Sequence, residues 1–77
     1  MVRGRVTSAE SLGRMVQHAR QQRDMTQREL ADQLGISQRY VWEIESGKPT
    51  KYTERLFETL RATGVQLWAE IPETNDG

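Results

Sequence analysis

The chain has no cysteine, so neither a disulfide framework nor a thiolate metal site is open to it, which fits a reducing cytoplasm. Its single histidine, His18, stands without a companion ligand, and no glycine-rich phosphate loop follows a strand. A chain of 77 residues also offers little room for a substrate pocket. These absences argue against an enzyme, a metal site or a bound cofactor. Long apolar runs are missing too: nothing approaches the roughly 20 residues needed to cross a bilayer, and the N-terminal stretch lacks a signal-peptide core. The expectation is a cytoplasmic, single-domain protein with no membrane contact, whose modest core gains from a second subunit.

Net charge is absent as well, 11 basic groups balancing 11 acidic ones, which argues against a simple polybasic nucleic-acid binder. The distribution is uneven. Residues 1–23 carry five arginines against Glu10, net +4, whereas residues 24–51 sum to −1 and residues 52–77 to −3. One surface can therefore face a polyanion while another turns away, although an ordinary mixed surface also accommodates these counts.

What is present centres on Met25 to Gly47. Thr26 and Glu29 form a capping box, Met25 and Leu30 can staple the entry, and Gln27, Leu30, Ala31 and Leu34 recur at helical spacing. Gly35 stops this helix and Ser37 caps the next, so the short connection sends the second helix away at a steep angle. Turned at about 100° per residue, the second helix places Gln38, Arg39, Trp42, Glu43 and Ser46 on one arc. Tyr40, Val41 and Ile44 fall opposite, as core. A short helix projecting hydrogen-bonding groups suits the DNA major groove, about 12 Å wide. A packed helical hairpin without that role is the plainer alternative.

On these residues, together with Arg20, Glu45, Leu56, Leu60 and Gly64, the stretch 12–64 resembles the Cro and phage-repressor (XRE) family of helix-turn-helix domains. The resemblance implies a mainly α fold of four to five helices. It also implies base contacts from Gln38, Arg39, Trp42 and Glu43, and backbone contacts from Thr26, Gln27, Arg28, Ser37 and Ser46. Arg20 and Glu45 match family positions that form an ion pair between the first helix and the recognition helix. Side-chain chemistry refines this: Gln38 suits adenine, Arg39 guanine or a phosphate, and Glu43 either accepts from cytosine N4 or braces Arg39. Trp42 covers a thymine methyl, displaces water, or marks a helix that reads less deeply.

Around the motif, residues 1–7 show no apolar period and read as a flexible basic arm, either reaching DNA or simply frayed. Residues 8–64 form the DNA-binding domain. Thr7 or Ser8 caps its first helix, with Leu12, Met15, Val16 and Ala19 as the core face. Lys48 and Lys51, in the turn after Gly47, are phosphate contacts by position. Thr53 caps the last helix, whose stripe is Leu56, Phe57 and Leu60 before Gly64. Residues 65–71 then switch to a two-residue period, with Val65, Leu67, Ala69 and Ile71 alternating with Gln66, Trp68 and Glu70. A lone strand needs a ladder partner, and none is evident in the chain, so a second copy is expected to supply it. Val65, Leu67, Trp68, Ala69 and Ile71 are the candidate dimer interface, although packing back on the chain's own core stays open. Residues 72–77 read as a disordered tail.

A helix-turn-helix domain followed by one strand resembles HipB-type antitoxins, which dimerise through that strand and bind a HipA-like kinase toxin. The function expected is a homodimeric repressor on a palindromic DNA operator, within a toxin-antitoxin system. A stand-alone phage-type or metabolic repressor, and a protein-interaction module that does not bind DNA, are the alternatives.

Overall fold

The computed structural model describes residues 1–73; of the tail expected over residues 72–77, residues 74–77 lie outside the described residues. Among the described residues there are four helices and two strands, in the order β1 (Val2–Val6), α1 (Ala9–Gln22), α2 (Gln27–Leu34), α3 (Gln38–Ser46), α4 (Lys51–Thr63) and β2 (Leu67–Ile71). The N-terminal segment is a strand, not a mobile arm. It pairs antiparallel with β2 in the register Val2↔Ile71, Gly4↔Ala69 and Val6↔Leu67, so β2 has a ladder partner in its own chain, where a second copy was expected to supply one. The physical reason is visible in Val-Arg-Gly-Arg-Val, which alternates with period two once Gly4 counts as an inward position. Gly4 lies over Met15 of α1, where an added methyl group would meet the Met15 sulfur at 3.5 Å. β2 itself is shorter than expected. Val65 and Gln66 belong to the connection, with the Val65 N–H donating to the Leu60 carbonyl.

Local chemistry explains each helix boundary. Ser8 caps α1 in a box with Ser11, and Thr26 caps α2 in a box with Glu29. Gly35, Gly47 and Gly64 end α2, α3 and α4 in the left-handed conformation, at φ 69°, 71° and 77°. The last helix starts earlier than expected. Thr50 is its cap and Thr53 the reciprocal third residue of the box, so Lys51 stands in the first turn and not in the loop.

α1 is the central element, packed against α3, the sheet and α4, while α2 leans on α3. The buried hydrophobic set is small, namely Val6, Ala31, Val41, Phe57 and Ile71. The two close crossings of this core run through glycines. A methyl group on Gly13 would sit 2.3 Å from the Glu45 carbonyl oxygen, and one on Gly47 2.3 Å from the Glu10 Cα, so the C-terminal end of α3 meets the first half of α1 backbone to backbone. Several residues expected inside are open: Leu12, Tyr40, Ile44 and Leu56 are 42%, 57%, 43% and 39% exposed. Tyr40 and Ile44 do lie away from the polar arc of α3, but they face a groove and not a closed core.

Candidate nucleic-acid interface

The α2–turn–α3 unit is fixed from behind by one polar network. Arg20 on α1 donates from Nε to Glu45 Oε2 at 2.6 Å and from Nη2 to Glu45 Oε1 at 3.1 Å, while its Nη1 donates to the Met25 carbonyl at 2.7 Å. Gln27, at the start of α2, donates its amide to Glu45 Oε1 at 3.0 Å. The two charged side chains are only 10% and 3% exposed. Three segments, α1, the entry to α2 and the end of α3, therefore meet on one carboxylate. Burial pushes the Glu45 carboxyl up, but the hydrogen bonds from Arg20 and Gln27 and the Arg20 charge together hold it below the ordinary carboxylate value. The structure thus brings Arg20 and Glu45 together, and it engages Gln27, one of the residues read as facing DNA, in that inner network.

In front of the network, Gln27, Gln38, Arg39 and Trp42 line one shallow hollow at the N-terminal half of α3. Gln38, Arg39 and Trp42 are exposed, and Ser46 lies further along the same side. Ser46 turns its hydroxyl inward to donate to the Glu43 carbonyl at 3.1 Å. Thr26 and Ser37 spend their side-chain oxygens on capping, accepting from the Glu29 and Tyr40 N–H groups. Arg28 is exposed on α2. Glu43 accepts from Lys48 Nζ at 3.3 Å and lies 3.5 Å from Arg39 Nε. Two features escaped the sequence reading. Gly13 sits mid-helix, where glycine costs about 1 kcal/mol against alanine, and that cost signals a close approach. The pairing of Glu43 with Lys48 depends on how the chain turns after Gly47, where the Lys48 N–H donates to the Glu43 carbonyl.

The candidate dimer residues divide by face. Leu67, Ala69 and Ile71 share one sheet face with Val6, where Ile71 is buried and Leu67 is open toward the groove between α1 and α4, whereas Trp68 lies on the other face, 55% exposed, with the Arg3 guanidinium 5.2 Å from its ring centroid. Val65 is half exposed in the connection. Among the described residues no group of three or more His, Cys, Asp or Glu side chains is placed to hold a metal ion, and no helix is long and apolar enough to cross a membrane.

This geometry of two short helices at a tight turn agrees with a match of residues 16–67 to the helix-turn-helix family model HTH_3. The chain belongs to that XRE-type family. The matched span of this helix-turn-helix protein runs from the second turn of α1 to the first residue of β2, and so leaves out β1. A similar protein is an uncharacterized HTH-type transcriptional regulator, y4mF, of Sinorhizobium fredii (strain NBRC 101917 / NGR234). It is 27% identical over 63 residues, which cover 82% of this chain and 83% of that protein. No solved structure matches the chain.

Proposed function

We propose that this helix-turn-helix protein is a DNA-binding transcription regulator that represses by placing α3 in the major groove of an inverted-repeat operator as a homodimer. The observation that carries the reading is the exposed Gln38, Arg39 and Trp42 group, presented at the N-terminal end of α3 and held by the buried Arg20–Glu45–Gln27 network behind it. Helix-turn-helix domains read base edges with that end of the second helix. Family membership and the similarity to a transcriptional regulator support the same conclusion.

The homodimer rests on a different observation from the orphan strand. An open groove of about 420 Å³ between α1, α3 and α4 is lined by Leu12, Val16, Tyr40, Ile44, Leu56 and Leu67; its surface is mostly apolar, although Glu43 and Lys48 also border it. With only five hydrophobic residues buried among the described residues, this much apolar surface is left in water at a cost, and a second copy offers the same surface in return. Two-fold symmetry then demands inverted half-sites about one helical turn apart, or a multiple of it.

Selection of bound duplexes from a random-sequence library tests the reading. An inverted repeat should emerge, and recovery of no preferred sequence, or of none in inverted form, would sink it. A second reading, the antitoxin of a HipBA-like pair, is favoured by Trp68, an exposed aromatic capped by arginine on the outer sheet face, since Trp and Arg are enriched at protein-binding hot spots. A kinase toxin that co-purifies with the wild type and is lost with Trp68→Ala supports it, and a bare dimer removes it.

A further inference from the structure

Glu43 poses a problem for a helix that meets DNA, because an unpaired carboxylate beside phosphates is repelled. The structure gives that carboxylate two cations at one oxygen. Glu43 Oε1 accepts from Lys48 Nζ at 3.3 Å and lies 3.5 Å from Arg39 Nε, one helical turn earlier. The carboxylate is also the most sheltered member of the trio, its side chain 26% exposed against 83% for Arg39 and 58% for Lys48. Its position is set by the backbone as well: the Lys48 N–H and the Ser46 hydroxyl both donate to the Glu43 carbonyl, so the turn after α3 folds Lys48 back over this residue.

We infer that Glu43 is a specificity-determining positioning residue, a counter-charge that holds Arg39 and Lys48 off the DNA backbone until a correct sequence engages α3. The inference rests on the DNA-binding reading above. On a random duplex, either cation must leave Glu43 to reach a phosphate, and the carboxylate left behind repels the polyanion. Sequence-independent binding is thereby weakened, and that term is almost wholly electrostatic. On an operator, the base contacts of Gln38 and Arg39 offset the loss. Glu43 therefore acts on the ratio of specific to non-specific affinity more than on affinity itself, which is how an element of repulsion creates discrimination.

The test compares the wild type with Glu43→Gln, Lys48→Gln and the double variant, on the duplex recovered by selection and on a scrambled duplex of equal length, between about 50 and 200 mM salt. Glu43→Gln keeps the shape and removes the charge. It should tighten binding to the scrambled duplex about threefold for each phosphate within about 7 Å, and narrow the operator-to-scrambled ratio. The salt slope should steepen by about one for each cation set free. In the Lys48→Gln background the same substitution should do less, since one of its two partners is gone. Unchanged scrambled binding and slope overturn the inference, and so does a loss of operator affinity alone at one base position, which would make Glu43 a base reader. If the wild type fails to prefer its selected duplex, the DNA-binding reading fails first and the inference falls with it. Thermal melting that matches the wild type shows that each variant is folded.

Discussion

Glu45 ties α1, the entry to α2 and the end of α3 together, because it accepts from both Arg20 and Gln27 while buried. Such a pair roughly breaks even against water when intact, but removing one partner strands the other at a cost of about 3 to 5 kcal/mol. Arg20→Ala should therefore lower stability by that order, seen in urea unfolding, and weaken DNA binding with it; lost binding at unchanged stability would instead make Arg20 a phosphate contact. The pH dependence follows from the depressed Glu45 carboxyl. Its contribution is fully present above the unfolded carboxylate value of about 4.3, and it is lost as pH falls through the lower folded value. Glu45→Gln should be less stable at neutral pH, with a shallower decline in acid, as unfolding followed between about pH 3 and 7 would show. Gly13 is the second critical residue. A methyl group there meets the α3 backbone at 2.3 Å, and backbone cannot swing aside as a side chain can. Gly13→Ala should cost at least the 1 to 3 kcal/mol typical of overpacking, despite alanine's better helix propensity; a stabilised variant would show that α1 and α3 are not so close.

At the scale of elements, α3 divides its circumference three ways. Val41 and Glu45 are buried, Gln38, Arg39 and Trp42 face out beside Gln27, and Tyr40 and Ile44 line the apolar groove. The sequence distinguished the polar side from the apolar one, because periodicity reports polarity. It could not split the apolar side into core and groove, since both are equally hydrophobic and only the position of α4 separates them. If α3 reads bases, Gln38→Ala and Arg39→Ala should each relax preference at one position per half-site by about 1 to 3 kcal/mol in competition against single-base variants. Uniform weakening across all variants would reduce them to phosphate contacts. The strands give the opposite lesson. β2 showed in its alternation of Leu67, Ala69 and Ile71 with Trp68 and Glu70, whereas β1 was hidden because Gly4 occupies its central inward position and registers as no apolar residue at all. What revealed it was the pairing of Gly4 with Ala69 above Met15, a fit of small residues under a sheet.

For the whole molecule, the decisive quantity is how little it buries. Among the described residues five hydrophobic side chains are inside, whereas Leu12, Tyr40, Ile44, Leu56 and Leu67 border one open groove. A homodimer closed over that groove should be lost, or weakened by orders of magnitude, in Ile44→Glu, because a carboxylate would enter the apolar contact. Sedimentation equilibrium of the wild type and the variant checks this. A wild type that stays monomeric at high concentration would remove the dimer and leave a protein that reads single half-sites.

The caps of α2 and α3, the left-handed stops at Gly35 and Gly64, and the tight turn that joins α2 to α3 were determined by the sequence alone. Each depends on residues within four positions of one another, and local hydrogen bonds and backbone sterics do not need the rest of the chain. Tertiary structure decided the remainder. It set Val2–Val6 against Leu67–Ile71, brought α3 onto Gly13, opened the groove beside Ile44, and turned Lys48 back onto Glu43. Those outcomes depend on the distance and angle between elements, which follow from how their surfaces fill space together; a pattern of residue types along one element does not encode them.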